Sequence, residues 1–194
     1  MLNRALLLLL ALPLLAAAPK APAAKPKVQF TTSLGSFTLA LEPAAAPKTV
    51  ENFLGYVRSG HFKGTVFHRV IKDFMVQGGG FTADLKRKDT RSSIDHEGEL
   101  SKKAGLSNRR GTVAMALPQG NPFGATAQFF VNVKDNPHLD FKAKGLSSMG
   151  YCVFGKVVAG MDTIERIRGV KTGDQGGMKD VPLKPVTITD VKEL

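Results

Sequence analysis

A chain of 194 residues with 43% hydrophobic content is long enough for one domain with a real core, and its 20 glycines and 11 prolines supply the turns of an all-β fold. The formal charge is +11, but the basic residues alternate with Asp84, Asp89, Asp95, Glu97 and Glu99, and no aromatic stripe accompanies them; this argues for a solvated basic surface and against a specific nucleic-acid groove. The single cysteine, Cys152, excludes an intrachain disulfide and, lying in an apolar run, reads as a buried small hydrophobe.

Residues 1–18 read as an export signal. Arg4 gives the positive start, an apolar run over residues 5–15 is broken only by Pro13, and small residues follow. The run is too short for a comfortable membrane span, so no stable membrane insertion is expected once it is removed. Cleavage after Ala16, Ala17 or Ala23 fits the small residues there. Residues 19–26 hold only Ala, Pro and Lys, a spacer that cannot bury a core. The remaining 27–194 form the folded domain.

Strand-like runs at 28–33 and 36–42 flank Leu34-Gly35, a hairpin signal. Pro47 then opens a helix in which Val50, Phe53, Leu54 and Val57 make one buried face, and Gly60 ends it as a left-handed cap. This helix carries no chemistry and reads as a plug for one end of a barrel. Runs at 65–71 and 74–77 flank Lys72-Asp73 and form a second strand pair. Strict alternation puts Phe67, Arg69 and Ile71 on one face and His68 on the other. An arginine between two apolar neighbours is either an edge residue in water or a cationic donor fixed at the rim of an apolar patch made by Phe74 and Met75; spacing alone slightly favours the first.

Residues 81–110 are polar and weakly periodic and should be mostly loop, of a length that is usually functional or mobile. Strands follow at 111–116, 128–133 and 151–157, separated by irregular stretches at 117–127 and 136–150. Met161, Ile164 and Ile167 mark a short amphipathic helix, the plug for the other end, and 186–191 closes the sheet.

Several chemistries are excluded. There is no Gly-x-Ser-x-Gly elbow, no phosphate loop and no dinucleotide fingerprint. His61, His68, His96 and His138 lack metal-site spacing, so neither metal nor cofactor is expected.

Four motifs together carry a resemblance: Phe-His-Arg-Val-Ile-x-x-Phe-Met-Val-Gln-Gly-Gly from Phe67, Gly-Thr-Val-Ala-Met-Ala from Gly111, Ala-Gln-Phe-Phe-Val-Asn from Ala127, and Val-Phe-Gly-Lys-Val from Val153. In this order and spacing the chain, from about Lys27 to Leu194, resembles the cyclophilin-type peptidyl-prolyl cis-trans isomerases. The export segment and the Gly-Tyr-Cys-Val-Phe-Gly stretch make it most similar to the bacterial periplasmic members. The resemblance implies a closed eight-stranded antiparallel barrel capped by two α-helices. It implies a monomer that acts in the periplasm on proline-containing unfolded or flexible polypeptides.

Rotation about an X–Pro bond makes no covalent bond. Its barrier of ~18–20 kcal/mol comes from amide resonance, and at the top the proline nitrogen regains a lone pair. A catalyst needs a pocket for the ring, contacts for the flanking peptide and a donor to that nitrogen. The resemblance makes Arg69 the donor, Phe74, Met75, Phe130 and Leu139 the apolar pocket, and Gln77 and Gln128 the groups orienting arginine and substrate. Ala116 and Leu117 would lie along the peptide, and the resemblance places the 81–110 region beside the site, where it can influence which peptides fit. By residue type alone Phe130 and Met75 would be core; the resemblance moves them to the pocket.

Four positions depart from the family pattern. Leu117 stands in place of an asparagine common in eukaryotic members, His138 where those members often carry tryptophan, Tyr151 in place of a pocket histidine, and Lys72-Asp73 in place of a Pro-Gly turn. His138 and Tyr151 are carried as further substrate-binding positions. Without the tryptophan, cyclosporin should bind weakly. The other reading of the same groove is a proline-peptide-binding chaperone or adaptor with little isomerase activity.

Overall fold

The protein is described by a computed structural model covering residues 25–118 and 121–194. The expected signal, its cleavage sites and nearly all of the spacer lie outside the described residues. In chain order the elements are β1 (Lys27–Thr32), β2 (Gly35–Leu41), α1 (Pro47–Arg58), β3 (Thr65–Ile71), β4 (Met75–Thr82), α2 (Gly98–Lys103), β5 (Thr112–Met115), β6 (Phe129–Asn132), β7 (Val153–Ala159), α3 (Met161–Arg168), β8 (Thr172–Gln175), β9 (Met178–Pro182) and β10 (Ile188–Glu193).

Eight strands form one antiparallel sheet in the order β10-β1-β2-β7-β5-β6-β4-β3. Its two end strands meet: Val66 bridges Thr187, and the backbone N–H groups of Gly64 and Phe67 donate to the carbonyls of Ile188 and Val186. The sheet thereby curls into a nearly closed barrel, which removes most of its exposed edge.

Alternation along the strands sends every second side chain inward. The interior is largely phenylalanine: Phe30, Phe37, Phe67, Phe129 and Phe154 from the strands are buried and meet Phe53 of α1 and Phe62. Phe53 lies 4.9 Å from Phe154 and 5.6 Å, edge-on, from Phe129, so α1 closes one end of the barrel. On α3, Ile164 and Ile167 are fully buried and join the same core. Both helices sit where their apolar periodicity indicated.

Two features go beyond the sequence reading. The 81–110 stretch contains a third helix, α2, and is tied down by a distant cap. Helix α1 has no side-chain cap of its own at Ala46. Instead, the buried carboxylate of Glu97 accepts from the backbone N–H of Lys48 (3.1 Å) and Thr49 (2.8 Å) and from the Thr49 hydroxyl (2.7 Å). It satisfies orphan donors of the helix start and places a negative charge at the positive end of its dipole. The second feature is a separate hairpin, β8–β9, that sequence reasoning left unassigned. Its turn is Gly176-Gly177, both at positive φ (57° and 77°), the conformation that a tight hairpin turn requires.

Candidate active site

Outward side chains of β4, β5, β6 and β7 build a second apolar cluster on the barrel wall. Met75, Ala114, Ala116, Phe130 and Val153 are buried there, with Phe74, Leu139 and Tyr151 packed against them. Each has an inward neighbour in the barrel core: Val76 beside Met75, Phe129 beside Phe130, and Met115 beside Ala116. The same alternation that fills the barrel thus produces the floor of an outer cleft of about 540 Å³.

Arg69 stands at the rim of this cleft. The expectation that it shares a face with Phe67 is wrong. Register shifts between Phe67, paired with Gly78, and Arg69, paired with Gln77, leaving His68 as an extra residue. This bulge turns Phe67 into the core and Arg69 outward. Arg69 still shares its outer face with Ile71, which packs on the second cluster. His68 was expected on the opposite face as a hydrogen-bonded structural residue; it instead lines the cleft too, and its Nδ1 is buried without a partner. Burial pushes its imidazole down to about 4, so it is neutral at ordinary pH.

Two polar pairs stand in the cleft. Gln77 Nε2 donates to Gln128 Oε1 at 3.0 Å. A close approach permits this, because a Cβ on Gly80 would lie 2.4 Å from Gln128 Cγ. The glutamines were expected to orient Arg69, yet its ion-pair partner is Asp180 of β9, with Nε 3.8 Å from Oδ2 and both side chains nearly half exposed. Asp180 has φ 59°, a left-handed conformation that short polar side chains tolerate better than others.

The remaining expected positions fall as follows. Phe74, Met75, Ala116, Leu117, Phe130, Leu139 and Tyr151 all line the cleft, with Phe130 and Tyr151 edge-to-face at 5.3 Å. His138 does not line it. Its ring is exposed and stacks on Phe74 from outside, 6.0 Å between centroids. Leu139 is held by its neighbour Asp140, whose buried carboxylate accepts from the backbone and side chain of Asn108 (2.7 and 2.9 Å) and from Lys102 (2.8 Å) and Ser107. Burial pushes the Asp140 carboxyl up, but these donors outweigh it and hold it down at about 2.

Sequence reasoning missed the hairpin side of the cleft, while the resemblance had already implied that the 81–110 region lies beside it. Met178, Lys179 and Asp180 reach the cleft from the β8–β9 hairpin, and Phe81, Arg87 and Lys88 reach it from the start of the long loop. The Gly-Gly dipeptide between two short runs was the available signal for the hairpin. Among the described residues there is no cluster of three or more side chains suited to hold a metal ion, and no helix long and apolar enough to cross a membrane.

The arrangement is a cation at the lip of an apolar hollow, with a polar pair alongside. Comparison with known proteins agrees with it. The family described as cyclophilin type peptidyl-prolyl cis-trans isomerase/CLD matches residues 27–193. The chain belongs to the cyclophilin-type peptidyl-prolyl cis-trans isomerases. It is 53% identical to the peptidyl-prolyl cis-trans isomerase cyp18 of Streptomyces antibioticus over 86% of this chain and 98% of that one. It is 48% identical to peptidyl-prolyl cis-trans isomerase B of Escherichia coli, over 84% of this chain and 97% of the relative. Among solved structures, a cyclophilin of Cryptosporidium parvum matches 88% of this chain and 98% of its own, with TM-score 0.66 at 25% identity. The same cyclophilin was also solved in the presence of the dipeptide Ala-Pro, and that structure aligns with TM-score 0.63 at 26% identity.

Proposed function

We propose that this cyclophilin catalyses rotation about X–Pro bonds in unfolded polypeptides exported to the periplasm, where it assists their folding. The observation that carries the catalytic part is the juxtaposition of Arg69 with the apolar cluster of Phe74, Met75, Phe130 and Leu139 at a single cleft. In this reading the proline ring enters the hollow, and the peptide runs along Ala116 and Leu117. As the C–N bond twists, the nitrogen lone pair becomes an acceptor and the Arg69 guanidinium donates to it. The planar ground state offers no such acceptor, so the bond is selective for the barrier top. Hydrogen bonds to a charged group contribute roughly 1.5–3 kcal/mol each, so two from Arg69 amount to about 10²–10⁴ in rate. No proton is transferred and no covalent intermediate forms, so a neutral His68 fits the mechanism. The substrates are proline-containing, unfolded or flexible chains, for which uncatalysed isomerisation takes tens of seconds or more.

Location rests on the N-terminal segment: a single positive charge, a short apolar run and small residues at the expected cleavage sites. The mature protein is expected to be a monomer. It should bind cyclosporin weakly, because the position where eukaryotic members often carry tryptophan holds the exposed His138.

The test is a proline-peptide isomerisation assay on the wild type and on Arg69→Ala. Wild type should accelerate the reaction and the variant should lose about 10²–10⁴ of kcat/KM. Equal rates would remove the enzymatic reading. Fractionation with N-terminal sequencing of the mature chain checks the location; an unprocessed chain in the cytoplasm would refute it.

A further inference from the structure

The cleft carries a net positive charge. Four cations line it, Arg69, Arg87, Lys88 and Lys179, against the one carboxylate of Asp180, and that carboxylate already faces Arg69. His68 adds no charge, being neutral. Lys88 is turned onto the backbone carbonyls of His61 and Lys63. Arg87 lies over the ring of Phe81, 5.8 Å from its centroid, and that ring is itself part of the wall. Lys179 stands next to Asp180 on the opposite hairpin and is exposed. Among the described residues no carboxylate comes within ion-pair distance of Arg87, Lys88 or Lys179. Elsewhere the surface is mixed: Lys48, Lys86, Lys102, Lys103, Arg58 and Arg110 meet acidic partners, whereas, among the described residues, other exposed cations such as Lys134 and Lys192 stand alone in solvent. Three cations without an acidic partner thus line the place where a peptide would lie, in a concave wall where fields are focused.

We infer that the cleft selects proline peptides with an acidic side chain close to the proline, and that Arg87 and Lys179 are the specificity-determining cations. This rests on the isomerase reading of the same cleft. Arg87 is the better placed of the two: its guanidinium rests on Phe81, which restricts it, and its planar fork can take a carboxylate through two parallel bonds. Lys179 supplies a mobile point charge from the other side. Neither residue touches the proposed reacting nitrogen. They would raise the affinity and encounter rate for acidic chains and disfavour basic ones.

The test is a peptide series in which each position within three residues of the proline is in turn Ala, Glu and Lys. At one or more positions Glu should exceed Ala by about threefold to tenfold in kcat/KM at low salt, with Lys below Ala, and the ratio should fall towards one at about 1 M salt. Arg87→Ala and Lys179→Ala should each lower the Glu/Ala ratio. Lys192→Ala, which removes an exposed charge on β10 outside the cleft, should leave the ratio as it was. A ratio of one at every position overturns the inference. So does a ratio lowered equally by all three variants, because net charge alone would then be responsible. The same series read as Kd by titration scores charge selection even if no peptide is turned over, so this inference and the isomerase reading fail separately.

Discussion

Gly80→Ala is the sharpest available probe of the polar pair in the cleft. At Gly80 an added Cβ would meet Gln128 Cγ at 2.4 Å, Cδ at 2.6 Å and Nε2 at 2.7 Å. None of these distances is sustainable, so the Gln128 side chain must swing away. It then loses the 3.0 Å bond it accepts from Gln77. The backbone of Gly80 is not in the left-handed region, so alanine is otherwise tolerated there. Losing one hydrogen bond removes about 0.5–1.5 kcal/mol. If that bond positions the glutamines for the bound peptide, kcat/KM should drop about 2- to 12-fold in the proline-peptide assay. Unfolding free energy should change by less than about 1 kcal/mol, because a glycine-to-alanine change also restricts the unfolded chain. A double-mutant cycle decides the cause: on a Gln128→Ala background, which has no Cγ to collide with, Gly80→Ala should cost nothing further. An equal loss on both backgrounds would show that the methyl group acts through something other than Gln128, and the argument would fail.

Three further predictions concern the frame around the site. Glu97→Ala strips the cap from α1, leaving two backbone donors and the buried Thr49 hydroxyl without their acceptor; urea denaturation should show a loss of about 2–4 kcal/mol, and a loss below about 0.5 would refute the cap. Asp140, held at about 2 in the fold, contributes stability that is full above its unfolded value of about 4 and is lost as pH falls through 2. That contribution is roughly 2 kcal/mol, so Asp140→Asn should be less stable than wild type at pH 7 and the gap should close at about pH 2; a constant gap would contradict the assignment. For Cys152, burial pushes the thiol up to about 12 despite the contact with the Thr49 hydroxyl, so a thiol reagent at about pH 8 should label only the unfolded protein, and fast labelling of the native state would be decisive against it.

What could be read in advance followed periodicity. The faces of α1 and α3 and the eight barrel strands repeat every 3.6 or 2 residues, and a side chain's burial follows directly from that count. The motifs then named Arg69, Gln77, Phe130 and the other pocket residues as a group. What escaped was whatever depends on an interruption of the period. The extra residue at His68 reverses the expected side of Phe67, and nothing in Thr-Val-Phe-His-Arg-Val-Ile marks it, since every one of those residues suits a strand. Contacts between distant segments escaped as well: Glu97 reaching helix α1, and Asp180 reaching Arg69, are pairings of ordinary charged residues that no local pattern distinguishes.

The division into two apolar clusters has a consequence for how the site can vary. Phe129 and Phe130 are neighbours in sequence, yet the first belongs to the barrel core and the second to the cleft floor. Truncating a fully buried phenylalanine such as Phe129 costs about 3–5 kcal/mol, a large share of the ~5–15 kcal/mol that holds a typical domain together. Phe130 is buried as well, but it belongs to the smaller cluster that floors the cleft and not to the barrel core. The rim residues Arg69, Arg87 and Lys179 are exposed and belong to neither cluster. Changes at the rim therefore alter the field and shape presented to a peptide with little effect on the fold, whereas changes one residue away in register reach the core. A barrel with its site on the outer wall can diversify substrate preference through the hairpin and the long loop while its phenylalanine interior stays fixed.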